Sequence, residues 1–356
     1  MQTQLPTVCV VIPTLQRAGF LREMLSYLVQ SSYPHNLLEI FIVDGGSTDE
    51  TPEVVRQYRE ETDIRIRWHS EKGLRNSPSR NYAIRETDQD ILVFADDDCL
   101  TSPDWIEALV LPLAKGEADI TASDDRAPDD DPFLARCEDV AFGSVIGSGG
   151  VRSSGGSSPL RFCPMTCNMA MFRQAALDIG LFDERLRVAE DTEFAYRAKE
   201  HGLTVLFVPQ AKVLHRRRAA LRSICFHNYI RGYSRSYLYR ECPSERQKAF
   251  LAPAAGLLLG VGLLLAGFVI PWLWLIVAAG ILVYAFLLLC VGVEGVRTVR
   301  QPLAFFVVPA LVAIHHFWYA VGTLHAPLTG YRKVFVSYLV NVSDPYGRER
   351  KTENEE

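Results

Sequence analysis

The chain has 356 residues, 48% of them hydrophobic, and a formal net charge of -5. That length can bury a full core in one large or two modest domains, and the mild acidity, with no dominant basic stripe ahead of Arg216, argues against nucleic acid as the main partner. Eight cysteines (Cys9, Cys99, Cys137, Cys163, Cys167, Cys225, Cys242 and Cys290) are scattered without a CxxC or a histidine at zinc spacing, so structural or free thiols are expected rather than a metal centre. The start, MQTQLPTVCVVIP, lacks a basic leader and a long apolar core, so no cleaved signal peptide is expected and the polar part should lie in the reducing cytoplasm.

Val8 to Ile12 (VCVVI) is a short continuous apolar run, the pattern of a strand buried on both faces. Phe20, Leu21, Met24, Leu25, Leu28 and Val29 then recur at helical spacing and predict an amphipathic helix. Glu39 to Val43 (EIFIV) is the second strand; it ends in the polar, glycine-containing loop Asp44 to Asp49, with Thr51 and Pro52 opening a helix that carries Val54, Val55 and Tyr58. Ile64, Ile66 and Trp68 alternate with arginines as in a strand near an edge, before the loop Glu71 to Arg80.

Ile91 to Leu100 (ILVFADDDCL) is the fourth strand, and it runs straight into Asp96, Asp97 and Asp98. Alternation of this kind predicts an α/β fold with a doubly wound, mainly parallel sheet whose loops gather at one edge. Asp44, Arg75, Arg80 and the three aspartates all fall on such loops. Ligands of open α/β sheets sit there, so a nucleotide cleft is the favoured reading over a set of solvated turns, and carboxylates in that place suit Mg²⁺ or Mn²⁺ carrying substrate phosphates.

A helix follows at Trp105 to Leu113, and Ile120 and Ala122 continue the sheet. Asp124 to Pro132 (DDRAPDDDP) reads as a solvated acidic loop. Gly143 to Pro159, rich in glycine and serine, suits a flap over a cleft or a plain connector. After a short helix from Phe172 to Ile179, Glu190 and Asp191 open another; acids there are favoured by the helix dipole whatever their role, so capping and function both stay open.

From Arg216 to Lys248, arginines interleave with Phe226, Tyr229, Tyr233, Tyr237 and Tyr239, as expected of helices on an anionic membrane face. Leu251 to Ile270 and Trp272 to Val293 are each long enough to span a bilayer and read as a hairpin about Pro271. The positive-inside rule puts the arginine-rich side in the cytoplasm. Leu303 to Leu324 is a third span or an interfacial helix, with His315 and His316 expected at the interface. The organisation expected is therefore 1–215 catalytic, 216–248 juxtamembrane, 249–325 membrane region and 326–356 polar tail, a multi-pass protein of the cell membrane.

Six ordered pieces resemble the inverting family-2 glycosyltransferases of GT-A fold: VVIPTLQRAGFLREML at Val10 to Leu25, EIFIVDGGSTDET at Glu39 to Thr51, GLRNSPSRN at Gly73 to Asn81, FADDDC at Phe94 to Cys99, CNMAMFR at Cys167 to Arg173 and LFDERLRVAEDTEFAYR at Leu181 to Arg197. The resemblance implies that Pro13 and Thr14 line the base pocket and that Asp44 accepts a hydrogen bond from the base. It makes Arg75 and Arg80 candidates for the diphosphate, a task that suits the guanidinium fork. Asp96 and Asp98 match the outer positions of the DxD motif, Asp98 as the direct metal ligand and Asp96 nearer the ribose and metal, with Asp97 as the variable middle residue. Asp191 matches the catalytic base, and His215 falls where many GT-A enzymes place a late metal-binding histidine. No QxxRW signature of processive synthases follows Asp191, so single sugar addition is expected.

The implied protein is a metal-dependent hexosyltransferase moving one sugar from a nucleotide-sugar donor, UDP-sugar favoured, to a lipid-linked or membrane-proximal acceptor in polysaccharide, glycolipid or glycan biosynthesis. A polyprenyl-phosphate sugar synthase, which needs no base, and a non-catalytic nucleotide-sugar-binding membrane protein are the alternatives. A sugar nucleotidyltransferase is disfavoured because no glycine-rich triphosphate loop is present.

Overall fold

The computed structural model describes residues 5–149, 163–186, 188–241 and 248–329. The chain forms two compact units, Met1–Pro128 with Arg152–Arg216, and Asp129–Val151 with Arg217–Glu356. A single boundary near residue 215, as expected from the composition, is thus not how the chain divides: 129–151 leaves the first unit and joins the C-terminal helices.

The first unit opens with β1 (Val8–Thr14), α1 (Ala18–Leu28), β2 (Leu38–Asp44), α2 (Thr51–Glu61), β3 (Arg65–Ser70), α3 (Asn76–Glu86) and β4 (Ile91–Phe94), the predicted alternation. It continues with β5 (Cys99–Leu100), α4 (Trp105–Ala114), β6 (Ile120–Ala122) and β7 (Asp125–Arg126). The chain then forms α5 (Phe133–Gly143) and α6 (Val145–Ser148) in the second unit and returns with β8 (Met169–Phe172), α7 (Arg173–Ile179), α8 (Glu190–Glu200), β9 (Val205–Phe207) and β10 (Val213–His215). The outer part of the Gly143 to Pro159 stretch, expected as a flap or connector, lies outside the described residues; its inner end forms α6.

Seven strands make the main sheet in the order β3-β2-β1-β4-β8-β6-β9. All neighbouring pairs are parallel except those of β8, which runs antiparallel to β4 and β6. Period-two alternation sorts β1 between two cores: Val8, Val10 and Ile12 pack with α1, α2 and α4 residues such as Leu25, Val54 and Trp105, whereas Cys9 and Val11 pack with Ile84, Ile179 and Phe194 of α3, α7 and α8. The register sets Thr14 beside Asp44 and Asp44 beside Ser70, so the strands deliver polar groups to one carboxyl edge.

A second, three-stranded sheet has the order β5-β10-β7. Its antiparallel register puts His215 opposite Cys99, and its parallel register puts Val213 opposite Asp125. Three stretches more than a hundred residues apart at the extremes are thereby brought to one place.

The second unit adds α9 (Leu221–Glu241), α10 (Ala252–Gly267), α11 (Leu273–Val299) and α12 (Ala304–Leu328) to α5 and α6. Helices α9 and α12 approach closely because glycines face backbone: a Cβ on Gly232 would lie 2.0 Å from the Tyr319 carbonyl oxygen, and one on Gly322 would lie 2.0 Å from that of Tyr229. Helices α11 and α12 are long and apolar enough to cross a membrane by length and composition. Helix α10, with 16 residues, spans about 24 Å, short of a bilayer core of about 30 Å. The expected interfacial placement does not describe His315, which is 2% exposed with its Nε2 2.7 Å from Glu138 Oε2. Its neighbour His316 contacts the Ile146 carbonyl and the Tyr284 hydroxyl, each at 2.9 Å. A buried carboxylate on α5 needs a cationic or donor partner, and α12 supplies it.

Candidate active site

At the carboxyl edge of the main sheet, Asp44 has no exposed surface. Its carboxylate accepts from the Ser47 backbone N–H at 3.0 Å, from the Ser47 hydroxyl at 2.5 Å and from the Ser70 hydroxyl at 2.7 Å. It therefore shapes the loop after β2. That loop lies tightly on the next one: a Cβ on Gly45 would meet the Leu74 carbonyl oxygen at 2.4 Å, and Gly46 has a φ of +90°. Pro13 is half-buried near the end of β1, and Thr14 is buried with its hydroxyl donating to Asp97 Oδ2 at 2.7 Å.

The three aspartates have three surroundings. Asp96 is partly open and its Oδ1 lies 2.8 Å from Arg80 Nη2. Asp97 is buried, held by Thr14 and by Arg17 Nη1 at 2.8 Å. Asp98 is buried between Arg17 Nη2 on one oxygen and His215 Nε2 on the other, the latter at 3.0 Å. His215 Nδ1 in turn lies 2.9 Å from Asp125 Oδ2, a contact that fixes the ring. Burial and the neighbouring Asp98 charge push Asp97 up to about 7, against the pull of Arg17. Burial would raise Asp98 too, but Arg17 and His215 outweigh it and hold that carboxyl well below the usual range. Burial likewise opposes charge on His215, yet Asp98 and Asp125 keep its imidazolium well above the ordinary value.

Helix α3 turns Arg80 inward, 2% exposed, where it joins Asp96 to Glu190 at 3.1 Å. Burial and the adjacent Asp191 push Glu190 up to about 7 despite Arg80. Asp191 sits half-buried in the first turn of α8, its Oδ1 accepting from the Thr192 N–H at 2.7 Å. Phe194, one turn on, is fully buried against Phe182 with ring centroids 4.4 Å apart and seats the helix. Arg75 is exposed at the N-terminus of α3. Of the two arginines singled out for a diphosphate, Arg80 is thus an internal strut and Arg75 is the one open to solvent.

The structure gathers these residues into two contact chains, Thr14–Asp97–Arg17–Asp98–His215 and Asp96–Arg80–Glu190, which meet at the consecutive Asp96 and Asp97, with Asp191 next to Glu190. Arg17, Glu190 as a strut and Asp125 are additions to the residues the sequence singled out. The acidic loop expected to be solvated is corrected here: Asp125 is 2% exposed and Asp131 is 5% exposed, because β7 pairs with β10 and because the Arg217 backbone N–H donates to Asp131. The donor set suits a hard divalent ion. Asp98 Oδ1 and His215 Nε2, 3.0 Å apart, have the spacing of adjacent ligands on a six-coordinate ion with bonds of about 2.1 Å.

A mostly parallel, doubly wound sheet carrying this edge is a GT-A-like fold. Residues 9–177 match the family model of glycosyl transferase family 2. Among curated relatives, glycosyltransferase AglE of Haloferax volcanii is 24% identical over 58% of this chain and 66% of its own length. Validoxylamine A glucosyltransferase of Streptomyces hygroscopicus subsp. jinggangensis is 31% identical over 30% of this chain and 26% of its own, so the chain spans only part of these relatives. Succinoglycan biosynthesis protein ExoA of Rhizobium meliloti is 27% identical over 87% of this chain and 92% of its own. The solved mannosyltransferase PcManGT from Pyrobaculum calidifontis, in complex with GDP-Man and Mn²⁺, superposes with a TM-score of 0.64 at 19% identity, covering 90% of this chain and 88% of that one, which establishes the shared fold.

Proposed function

We propose that this protein transfers a single sugar, with inversion, from a nucleotide-sugar donor to a lipid-linked or membrane-proximal acceptor in the assembly of a polysaccharide or related glycan. The observation that carries the reading is the chain of contacts from His215 through Asp98 and Arg17 to Asp97, and from Asp96 through Arg80 to Glu190 beside Asp191. It supports reading Asp98 and His215 as a divalent-ion site and Asp191 as the base. The match to ExoA across nearly its whole length supports a role in polysaccharide assembly, and helices α11 and α12 support anchoring in a membrane by their length and composition.

Asp98 and His215 would hold Mg²⁺ or Mn²⁺, which when bound neutralises charge building up on a leaving diphosphate. Thr14 and Pro13 border the nucleotide end, with Asp44 ordering its loop; a UDP-sugar is the favoured donor. The solvent-exposed Arg75 at the start of α3 supports its assignment to the diphosphate, and the part-exposure of Asp96 supports its assignment to the ribose. Asp191 accepts the proton of the acceptor hydroxyl as that oxygen attacks the anomeric carbon and the bond to the diphosphate breaks. One displacement gives inversion.

The test is divalent-dependent turnover of a donor panel by the full chain in membranes, with lipid extracts read by mass spectrometry. Asp98→Ala and Asp191→Asn should each lower turnover by about 10²-fold or more. Asp191→Asn should leave donor binding intact. Unchanged turnover in both variants removes the mechanism, and undiminished transfer in Asp191→Asn alone points to a phosphate acceptor, which needs no base.

A further inference from the structure

The small sheet leaves the imidazole of His215 between two carboxylates on opposite ring nitrogens. Nε2 lies 3.0 Å from Asp98 Oδ1, and Nδ1 lies 2.9 Å from Asp125 Oδ2. The two sides differ in access. The Asp125 side chain has no exposed surface and has the buried Cys167 beside it, whereas the Asp98 side chain keeps a small open part. The Asp125 side is also held from behind. Asn168, fully buried just ahead of β8, donates through Nδ2 to the Asp124 carbonyl at 3.0 Å and to the Ala211 carbonyl at 2.8 Å. Its Oδ1 accepts from the Trp105 indole N–H at 2.9 Å, which ties the approaches to β7 and β10 to α4. The Val213 backbone N–H adds a bond to the Asp124 carbonyl at 3.3 Å. Asp125 and the ring are thus set against each other by protein contacts reaching into the core, as a preorganised ligand requires.

We propose that Asp125 is a positioning residue for the divalent-ion site: by accepting the His215 Nδ1–H it fixes the tautomer that turns the Nε2 lone pair toward the ion beside Asp98. This rests on the reading that Asp98 and His215 hold that ion. A neutral imidazole has one donor and one acceptor nitrogen, and the partner of the first decides the role of the second. Here the buried carboxylate takes the donor, so the acceptor faces the more open side. A carboxylate behind a ligating imidazole also makes the ring a stronger electron-pair donor, and losing such a partner typically costs about 10- to 100-fold in metal affinity. Asp125 itself stays off the ion, on the far side of the ring, so its whole effect passes through His215. A buried ion pair that served stability alone would leave the affinity of the folded chain unchanged.

Mn²⁺ binding to the full chain in detergent, read by loss of the free-ion electron paramagnetic resonance signal, tests this without reference to transfer. The dissociation constant should rise by about 10- to 100-fold in Asp125→Asn, which keeps the shape of the side chain and loses its charge, and at least as far in His215→Ala. In the double variant, Asp125→Asn with His215→Ala, the constant should match that of His215→Ala alone, because a residue acting through the ring then has nothing to act on. Circular dichroism checks that each variant is folded. An unchanged constant in folded Asp125→Asn overturns the proposal, and so does an Asp125→Asn effect of full size in the absence of His215. If His215→Ala binds Mn²⁺ as the wild type does, the ion site itself fails and the role of Asp125 falls with it. A second measurement needs no Asp125 variant. In the Mg²⁺-loaded wild type, NMR of the histidine ring nitrogens should show the His215 ring, identified by its loss in His215→Ala, carrying its proton on Nδ1. A proton on Nε2 overturns the proposal even where Asp125→Asn does not fold.

Discussion

Arg17 shows how much one side chain decides at this edge. Its guanidinium spans Asp97 and Asp98 and lies over the Phe20 ring, 4.6 Å from the centroid. Removing it leaves two buried carboxylates side by side, and breaking a buried pair from one side costs about 3–5 kcal/mol; the part-exposed arginine puts the expected loss at the low end. Arg17→Ala should therefore melt earlier than the wild type without divalent ion. Added Mn²⁺ should restore more stability to the variant than it adds to the wild type, because the ion replaces the missing charge. Equal Mn²⁺ shifts in thermal melting would count against a cation site at Asp98. The pH response has a definite sign. Asp97 and Glu190, raised to about 7, take up protons on folding, so the stability they lend is full below about pH 4 and lost as pH rises through about 7. His215 has the same sign one range higher, full below about 6.5 and lost through its raised value. Asp98 acts oppositely, only in acid below about pH 4. The metal-free chain should thus show a thermal midpoint that falls from about pH 5 to about pH 8, with a shallower slope in Asp97→Asn. A midpoint that climbs over that interval would show that these groups are not buried as described.

At the scale of elements, α8 and the α9/α12 pair carry separable consequences. Phe194 holds α8 to Phe182, and Phe194→Ala should cost about 3–5 kcal/mol in stability while lowering turnover beyond what the remaining folded fraction explains, since Asp191 lies one turn away. A turnover that merely tracks the folded fraction would mean α8 is held elsewhere. In the second unit, Gly322→Ala places a methyl 2.0 Å from the Tyr229 carbonyl oxygen, an overlap expected to cost about 3 kcal/mol or abolish folding. Gly256→Ala and Gly260→Ala meet nothing within 4 Å and should be neutral or gain up to about 1 kcal/mol of helix propensity. Elements also explain what was legible in the sequence. β1, β2 and β4 are apolar runs read from a local window, and the acids that follow them fall at the sheet edge by topology alone. β5, β7 and β10 are two or three residues each, too short for any periodic signal, so the Asp125–His215 contact was invisible and DDRAPDDDP looked like a solvated loop. β8 suffers similarly, because MAMF merges into the helical pattern of α7. The pairs that seat α5, Glu138 with His315 and Asp139 with Arg217, join positions too far apart in sequence for any local window to connect.

Across the whole molecule, the two units present surfaces meant for different surroundings. The first unit closes its apolar side chains into two layers about a sheet. In the second, α11 leaves Leu275 73% exposed, Leu282 70% exposed and Phe286 64% exposed, an apolar area that water tolerates poorly and lipid tails accept. Glu138, Asp139, Arg217 and His315 of that unit are buried and paired, Glu138 with His315 and Asp139 with Arg217. The chain should therefore sediment with membranes, resist alkaline carbonate and enter solution with detergent. Phe286→Arg, near the middle of α11, places a charge where lipid is expected and should cost about 2.5–3.5 kcal/mol in an insertion assay. Arginine at Gln301, just beyond α11, should cost far less, because a residue there can reach the headgroups. If both substitutions insert alike and carbonate releases the chain, the exposed face of α11 is covered by protein instead of lipid, and the acceptor need not be membrane-bound.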